Sequence, residues 1–342
     1  MSKAKKWFLL MLIAVVSLVF VACGSNDASN GDGNAETKTI KIAHYAGPTH
    51  QVSISLNEVF KPMVEEKSNG ALKVEVYGDG KLGSENEYLS AVRSGSIQMG
   101  VNGAIMGSEV PEVEVIGLPF LFNDLNEAKK VLTSPVAMET VPGFEEKLGL
   151  HPLGFSPGGF RIFTSNTPLD KVEDYKGLKL RMTEGYEVRT KTGQALKTNV
   201  TPLPLTEVFT ALESGVIDAQ ENPSATIISS KLHEVQDYVV LTNHIFSHDI
   251  IYINDNFWNS LTDEQKAIIE EAIDATEENC WKIVMENEQK DIDFFKEHGL
   301  TVIEPDEEYK NDLKAAVQPV YDWYYEKNAW AKELVDKIDA AK

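Results

Sequence analysis

The sequence predicts an α/β fold built on a largely parallel sheet. Short runs rich in β-branched residues alternate with longer amphipathic stretches, first over residues 39–101 and again over residues 178–253. Such alternation is typical of strand–helix–strand units, in which a helix connects two parallel strands. A very long helical pattern over residues 262–298 follows, and at about 1.5 Å per residue this helix could reach across two domains.

The first half of the domain contains three predicted strands, over residues 39–44, 72–77 and 97–101. A helix is predicted between the first two strands, over residues 49–68, because apolar residues recur there at helical spacing and the pair Asn69 and Gly70 ends the pattern. A short helix over residues 84–93 begins with Ser84 and has an acidic residue three positions later, which is a capping box.

The second half repeats the alternation. Strands are predicted over residues 178–182, 198–201, 239–241 and 250–253, and helices over residues 184–195, 206–214 and 224–232. Thr262 caps the long helix and Gly299 ends it, and a last helix follows over about residues 307–341.

The N-terminus has the pattern of an export signal. Three lysines precede an apolar run that ends near Ala22, which is short for a membrane span and typical of a secretory signal peptide over residues 1–22. Small residues then lead to Cys23, as in a bacterial lipobox, although Phe20 stands where that pattern usually has leucine. Lipidation at Cys23 and a polar tether over residues 23–37 would leave the protein anchored to a membrane, outside the cytoplasm.

Charge and cysteine content exclude several classes of protein. Without residues 1–22 the chain has 29 basic and 53 acidic residues, a net charge of −24. This balance disfavours nucleic acid as a partner, and an anionic ligand would need a local, buried positive site. Cys280 is the only cysteine besides Cys23, so a lipidated Cys23 leaves no intrachain disulfide, and we interpret Cys280 as a small buried residue.

Two segments resemble catalytic motifs without their usual context. The string GDGKLG at residues 78–83 matches G-x-G-x-x-G, but it follows the second strand and has no acidic residue near positions 98–103, so a tight turn is favoured over a dinucleotide site. The string GFSPG at residues 154–158 matches the G-x-S-x-G of hydrolases. Its Pro157 cannot donate the N–H that an oxyanion hole requires, which argues against a Ser156 nucleophile.

A metal site is not predicted. His244 and His248 are four residues apart, but no third ligand lies nearby, so both are interpreted as ordinary histidines. No cofactor is expected.

An ordered set of segments resembles a known family. The segments are KLGSE (81–85), LPFLF (118–122), GGFRIFTSN (158–166), DYKGLKLR (174–181), TPLPLTEVFTAL (201–212) and GVIDAQENP (215–223). Together they resemble the DctP-type solute-binding subunits of TRAP (tripartite ATP-independent periplasmic) transporters, over roughly residues 38 to 330.

The resemblance implies a two-lobed, periplasmic-binding-protein-like fold with a ligand cleft between the lobes and a long helix spanning both. Lobe 1 would comprise residues 38–157 and 247–286, and lobe 2 residues 158–246 and 287–342. The cleft would close on a small organic acid and deliver it to the membrane permease, so the protein would not be an enzyme.

The resemblance also implies binding residues. Arg181 would clamp the carboxylate of the ligand, as a planar guanidinium can through two parallel hydrogen bonds. Arg161 would be a second positive group and Asn222 its polar partner. Glu85 would accept hydrogen bonds from ligand hydroxyls, and the alternative that it only caps its helix is equally open.

Three further residues are candidates because they follow strand ends, where ligands of open α/β sheets bind: Tyr45 and His50 after the first strand, and Asn102 after the third. Leu205 replaces an aromatic residue of many members, which implies a different pocket shape. A sugar acid such as a uronate is the favoured ligand and a C4-dicarboxylate the next. A ligand-sensing or adhesion lipoprotein, or a secreted hydrolase, is the alternative function.

Overall fold

The structure, a computed structural model, describes residues 37–342. Nine strands form one mixed sheet with the spatial order β2-β1-β3-β8-β4-β7-β5-β6, and β9 pairs with β8. In chain order the strands are β1 Lys38–His44, β2 Leu72–Tyr77, β3 Met99–Asn102, β4 Leu150–Ser165, β5 Lys179–Thr183, β6 Asn199–Leu203, β7 Ala219–Pro223, β8 Tyr238–Asn254 and β9 Thr301–Ile303.

The two longest strands divide the sheet into two parallel sets. On one side, β1 pairs in parallel with β2 and β3, and on the other side β5 pairs in parallel with β6 and β7. Between them, β4 and β8 run antiparallel to each other along most of their length. Each parallel set belongs to one lobe of the two-lobed α/β fold, which the sequence predicted correctly, and β4 and β8 cross between the lobes.

The crossing strands correct the sequence prediction. The segments predicted as separate strands over residues 239–241 and 250–253 are both parts of β8, which continues through the polar residues between them. No strand was predicted over β4, whose glycines and prolines look like turn signals. In the structure these residues coincide with shifts in the pairing register, between Pro152 and Gly154 and between Pro157 and Gly159.

Helices cover both faces of the sheet. They are α1 Gln51–Ser55, α2 Lys61–Lys67, α3 Glu85–Arg93, α4 Leu125–Leu132, α5 Phe144–Leu148, α6 Glu187–Ala195, α7 Leu205–Glu213, α8 Ser224–Ser229, α9 Asp255–Asn259, α10 Asp263–Glu297, α11 Glu307–Lys327 and α12 Ala331–Ala341. A π-helical turn over Leu56–Phe60 joins α1 to α2, so the helix predicted over residues 49–68 is one helical stretch with a local widening. Ser84 and Glu87 form the capping box of α3, and Glu85 takes no part in it.

The long helix α10 packs against both lobes. Its first half contributes Ile269 and Ile273 to an apolar cluster beneath β1, β2 and β3, and its end contributes Phe295 to another cluster with α7 and α8. With 35 residues it is about 50 Å long, which is enough to reach across the molecule. Within residues 37–342 no helix is both long and apolar enough to cross a lipid bilayer.

Candidate functional site

The two motif-like segments adopt structures that do not fit the catalytic motifs. Residues 78–83 form the turn between β2 and α3, with positive φ at Gly80 and Gly83. A Cβ atom at Gly78 would lie 2.5 Å from the ring of His44, so this position requires glycine for close packing. Ser156 lies inside β4 and is buried, which differs from the strand-to-helix turn of a hydrolase nucleophile.

The histidines His244 and His248 both lie on strand β8 and are buried. Nδ1 of His244 lies 2.8 Å from the Thr242 hydroxyl. Burial lowers the pKa of His248 to about 3, and the positive charge of Arg189 adds to this effect. Among the residues that the structure describes, no group of three histidine, cysteine or acidic side chains could hold a metal ion.

A polar cavity of about 360 Å³ lies where the carboxyl ends of both parallel sets of strands meet the crossing strands. This is the position at which open α/β sheets bind ligands. Its side chains come from both lobes and from β4 and β8. The lining residues are Tyr45, Glu85, Gly103, Arg161, Arg181, Thr183, Arg189, Leu205, Asn222, Pro223, Thr226, Ser247 and Asp249.

Arg161, on β4, is held by an ion pair within the protein. Its guanidinium donates to both carboxylate oxygens of Glu221 on the neighbouring strand β7, and Nη2 donates to Oδ1 of Asn222 at 3.0 Å. Burial alone would raise the pKa of Glu221, but the charge of Arg161 and hydrogen bonds from His244 and Arg161 outweigh it and lower this pKa far below its usual range. Glu221 is therefore ionised and neutralises Arg161.

Arg181, on β5, is buried without an acidic partner within 4 Å among the described residues. Nε and Nη2 donate to the carbonyl oxygen of Leu203 at 3.0 and 2.6 Å, and Nη1 donates to the Thr183 hydroxyl at 3.3 Å. Burial lowers the pKa of Arg181 to about 9, and the nearby charge of Arg161 contributes. The side chain remains a cation at neutral pH, held in one orientation by the backbone of β6.

Arg189, on α6, is a third guanidinium on the same wall. Nη1 donates to the Thr183 hydroxyl at 2.9 Å and Nη2 to the Ser247 hydroxyl at 3.3 Å, while the guanidinium stacks on the ring of Tyr186, 3.8 Å from its centre. It is 3% exposed and, like Arg181, has no carboxylate within 4 Å among residues 37–342. The cavity thus has a cationic wall formed by Arg161, Arg181 and Arg189.

Acidic side chains line another part of the cavity. Asp249, on β8, accepts hydrogen bonds from the Tyr45 hydroxyl at 3.0 and 3.2 Å. Burial raises the pKa of Asp249 to about 7, although the bond from Tyr45 opposes the shift. Burial also raises the pKa of Glu85, while the charges of Arg181 and Arg189 oppose the increase. Neither acid lies within 4 Å of an arginine nitrogen of the cationic wall.

Five of the seven predicted ligand residues line this cavity: Arg181, Arg161, Asn222, Glu85 and Tyr45. The other two lie behind its wall. His50 caps α1, because its Nδ1 accepts a hydrogen bond from the Val52 amide, and its Nε2 lies 3.4 Å from the hydroxyl of Thr226. Asn102 donates from Nδ2 to the Tyr252 hydroxyl at 3.0 Å inside the sheet. Both side chains form hydrogen bonds within the protein.

The sequence analysis missed Arg189, Thr183, Ser247 and Asp249. Arg189 carries no clear signal in the sequence, because the buried face of α6 that it shares with Thr192 and Gly193 is not an apolar stripe. Asp249 could have been found, because an acidic residue directly before the apolar strand residues 250–253 is unusual and indicates a functional position. Thr183 and Ser247 carry no signal in the sequence, because threonine and serine are common both on the surface and in the interior of proteins.

A larger cavity of about 640 Å³ lies beneath α10. Apolar side chains such as Phe160, Ile162 and Leu241 supply much of its lining, and no arginine, lysine or histidine belongs to it. Its chemistry does not fit the capture of an anion.

Comparison with known proteins gives matches over most of the chain. The family model "Bacterial extracellular solute-binding protein, family 7" (DctP) matches residues 42–328. An uncharacterized protein of Haemophilus influenzae is 38% identical over 310 residues, which cover 90% of this chain and 94% of the relative.

Two solved structures have closely similar folds. A TRAP periplasmic solute-binding protein from Haemophilus influenzae with bound L-gulonate is 37% identical, with a TM-score of 0.86 over 90% of this chain and 100% of the other. The sugar acid binding protein DctPAm from Advenella mimigardefordensis, in complex with galactonate, is 27% identical, with a TM-score of 0.86 and the same coverage.

Proposed function

Because this chain belongs to family 7 of the bacterial extracellular solute-binding proteins (DctP), we propose that it captures a sugar acid outside the cytoplasm and delivers it to the permease of a TRAP transporter. No catalytic step is involved, and the work of the protein is binding and release. The similar proteins that hold L-gulonate and galactonate support a sugar acid as the ligand class.

One observation carries this proposal: the cavity is cationic on one wall and acidic on another. Arg181 and Arg189 are buried cations with no acidic partner of their own within 4 Å, and burying a charge is costly unless an opposite charge compensates it. A ligand carboxylate supplies that charge. On a surface with a large negative net charge, this local positive wall is what attracts and holds an anion.

The acidic wall favours a polyhydroxy acid over a C4-dicarboxylate. Glu85 and Asp249 accept hydrogen bonds from hydroxyl groups when ionised, whereas a second carboxylate placed against them would be repelled. The volume of about 360 Å³ lies within the usual range of small-molecule sites, about 300–1,000 Å³. A single carboxylate at one end and several hydroxyls at the other describe an aldonate or a uronate.

Each of the seven residues predicted from the sequence then has a role. Arg181 clamps the carboxylate, Arg161 supports it while paired to Glu221, and Asn222 orients Arg161. Glu85 and Tyr45 contact the hydroxyl end. His50 and Asn102 act indirectly, by holding the elements that carry the lining residues.

Binding closes two lobes around the ligand. We assign residues 38–157 and 247–286 to lobe 1 and residues 158–246 and 287–342 to lobe 2. In this division Glu85 and Asp249 come from one lobe and Arg181 and Arg189 from the other. The ligand therefore connects the lobes, and the closed form is the one that docks on the permease.

The N-terminal assignments complete the proposal. The signal peptide (residues 1–22) would direct export and be removed, and the lipid on Cys23 and the tether (residues 23–37) would then anchor the protein to the outer face of a membrane. Residues 1–36 lie outside those that the structure describes.

A thermal-shift screen of the purified protein tests the function. The panel contains aldonates, uronates, C4-dicarboxylates, 2-oxo acids, sialic acid and the neutral sugars that correspond to the acids. A ligand at a hundredfold excess over its Kd stabilises by about 2.7 kcal/mol, which is readily measured. Stabilisation by a sugar acid and not by its neutral analogue supports the proposal. A shift only with neutral sugars, or only with dicarboxylates, contradicts it.

A further inference from the structure

Hydrogen-bond donors are unevenly distributed over the three arginines of the cationic wall. A guanidinium has five N–H donors. Arg161 directs all but one of its N–H groups at Glu221, Asn222 and Ser247. Arg181 directs three at Leu203 and Thr183, which leaves two. Arg189 directs only two, at Thr183 and Ser247, which leaves three. Arg189 is therefore the guanidinium with the largest free donor capacity.

The Nε atom of Arg189 makes this capacity unusual. It is buried and has no hydrogen-bond partner among the described residues. A buried donor without an acceptor costs about 1–3 kcal/mol, so the site gains when an acceptor binds there. Among residues 37–342 Arg189 forms no ion pair, and its guanidinium contacts only two hydroxyl groups and the ring of Tyr186, so its charge remains available to a ligand anion.

Two hydroxyl groups on the wall must also be donors. The Thr183 oxygen accepts from both Arg181 and Arg189, and the Ser247 oxygen accepts from both Arg161 and Arg189. A hydroxyl has two acceptor positions and one O–H. With both acceptor positions used, each hydroxyl keeps only its proton to offer. Five residues, Arg161, Arg181, Thr183, Arg189 and Ser247, thus form a wall of donors, which we name the donor wall.

The donor wall exceeds what a carboxylate alone can accept. Six N–H groups of the arginines remain, one from Arg161, two from Arg181 and three from Arg189, and the two hydroxyl protons add to them. A carboxylate offers about four acceptor positions. A further oxygen must lie beside the carboxylate to use the remaining donors, and the nearest one in an organic acid is on the neighbouring carbon.

From this count we infer that Arg189 is a specificity-determining ligand residue, and that with Thr183 and Ser247 it selects acids that carry an oxygen on the carbon next to the carboxylate, such as 2-hydroxy or 2-oxo acids. The inference rests on the proposed function and deepens it. Arg161 is paired to Glu221, so Arg181 and Arg189 remain as the unpaired cations of the wall, and with the acidic side chains Glu85 and Asp249 in the same cavity this positive charge suits one carboxylate. A phosphate ester with two negative charges would exceed it.

Calorimetric titration of the purified protein tests this inference. The probes are L-gulonate and D-galactonate, the 2-deoxy analogue of each, and sn-glycerol 3-phosphate. We expect the parent acid to bind at least about 30-fold more tightly than its 2-deoxy analogue, because the analogue leaves buried donors unpaired. In Arg189→Met, affinity for the parent acid falls about 100-fold and the preference over the 2-deoxy analogue shrinks to about threefold or less.

Matched variants separate a binding role from a structural one. Arg93→Met makes the same change at a surface arginine that pairs with Glu109, and it leaves both affinities unchanged. Should Arg189→Met fail to fold by circular dichroism, Arg189→Lys and the nearly isosteric Thr183→Val carry the same readout. Lysine keeps the positive charge but lacks the several N–H donors of a guanidinium, and valine lacks the hydroxyl donor of Thr183. Each variant therefore reduces the preference for the parent acid over its 2-deoxy analogue.

The outcomes are distinct. Equal binding of parent and 2-deoxy acids by the unmodified protein, or an unchanged preference in a folded Arg189 variant, overturns the inference while the proposed function stands. Tighter binding of sn-glycerol 3-phosphate than of either acid overturns it as well, since the donor wall then serves a phosphate. If no sugar acid binds at all, the proposed function fails and the inference falls with it.

Discussion

Replacing Arg181 tests the carboxylate clamp most directly. Methionine has a similar length without the guanidinium, so Arg181→Met keeps much of the packing and removes the charge. The substitution also removes two hydrogen bonds to the Leu203 carbonyl and one to Thr183. It leaves that carbonyl without its partner, but it also removes a buried cation beside Arg161. These two effects oppose each other, and we expect the protein to stay folded.

The magnitude follows from the donors that Arg181 has left. Two of its N–H groups are free for the ligand, and hydrogen bonds to charged groups contribute about 1.5–3 kcal/mol each. Losing both weakens binding by about 3–6 kcal/mol, which is about 10²- to 10⁴-fold in Kd. Arg181→Lys also weakens binding, because an ammonium group cannot form the two parallel bonds.

The assay is calorimetric titration with the best acid from the screen, and denaturant unfolding at the same pH serves as the control for folding. A folded Arg181→Met protein whose Kd lies within threefold of the unmodified protein would refute the clamp. Loss of affinity together with loss of the cooperative unfolding transition would instead reveal a structural role. The discriminating result is a normal transition with greatly weakened binding.

Three further predictions concern charge and anchoring. Asp249 has a folded pKa of about 7 against an ordinary value of 3.8, so the folded state keeps the proton and loses stability as pH rises from about 4 to 7. Asp249→Asn removes this cost, and its effect on the free energy of unfolding should be more favourable at pH 8 than at pH 5 by about 3 kcal/mol; an identical effect at both pH values contradicts the shift. Glu221→Gln leaves Arg161 buried without its partner and should destabilise the protein by about 3–5 kcal/mol in urea unfolding, whereas a neutral effect would mean that the pair is dispensable. Metabolic labelling with a fatty acid should mark the expressed full-length protein and not Cys23→Ser, and an unlabelled full-length protein would exclude the lipid anchor at that residue.

The crossing strands illustrate where prediction from sequence failed. A strand pattern needs alternation of apolar and polar residues, or a continuous apolar run. In β8 the residues between 241 and 250 include His244, Ser247, His248 and Asp249, which are all buried, and Ser247 and Asp249 line the cavity. In β4, glycine and proline allow the shifts in register that bend the strand. Polar residues of the site interrupt the apolar pattern of β8, and glycine and proline interrupt that of β4, so periodicity in the sequence predicts neither strand in full.

The candidate site was partly predictable for a different reason. Arg181, Arg161 and Asn222 are identified by motifs that extend along the chain, and they line one cavity in the structure. Asp249 and Arg189 belong to no such motif. Their importance depends on which side chains surround them, and those neighbours come from strands and helices that are far apart in the chain.

The sequence by itself determined the α/β class and the family, because these depend on local periodicity and on motifs within single segments, and it predicted an export signal and Arg181 as a ligand residue. Only the tertiary structure decided which arginine is neutralised and which is free. That distinction depends on Glu221 lying on the strand beside Arg161, while Arg189 meets only hydroxyl groups and an aromatic ring. Charge compensation acts over a few ångströms in space, and separation along the chain does not reveal it.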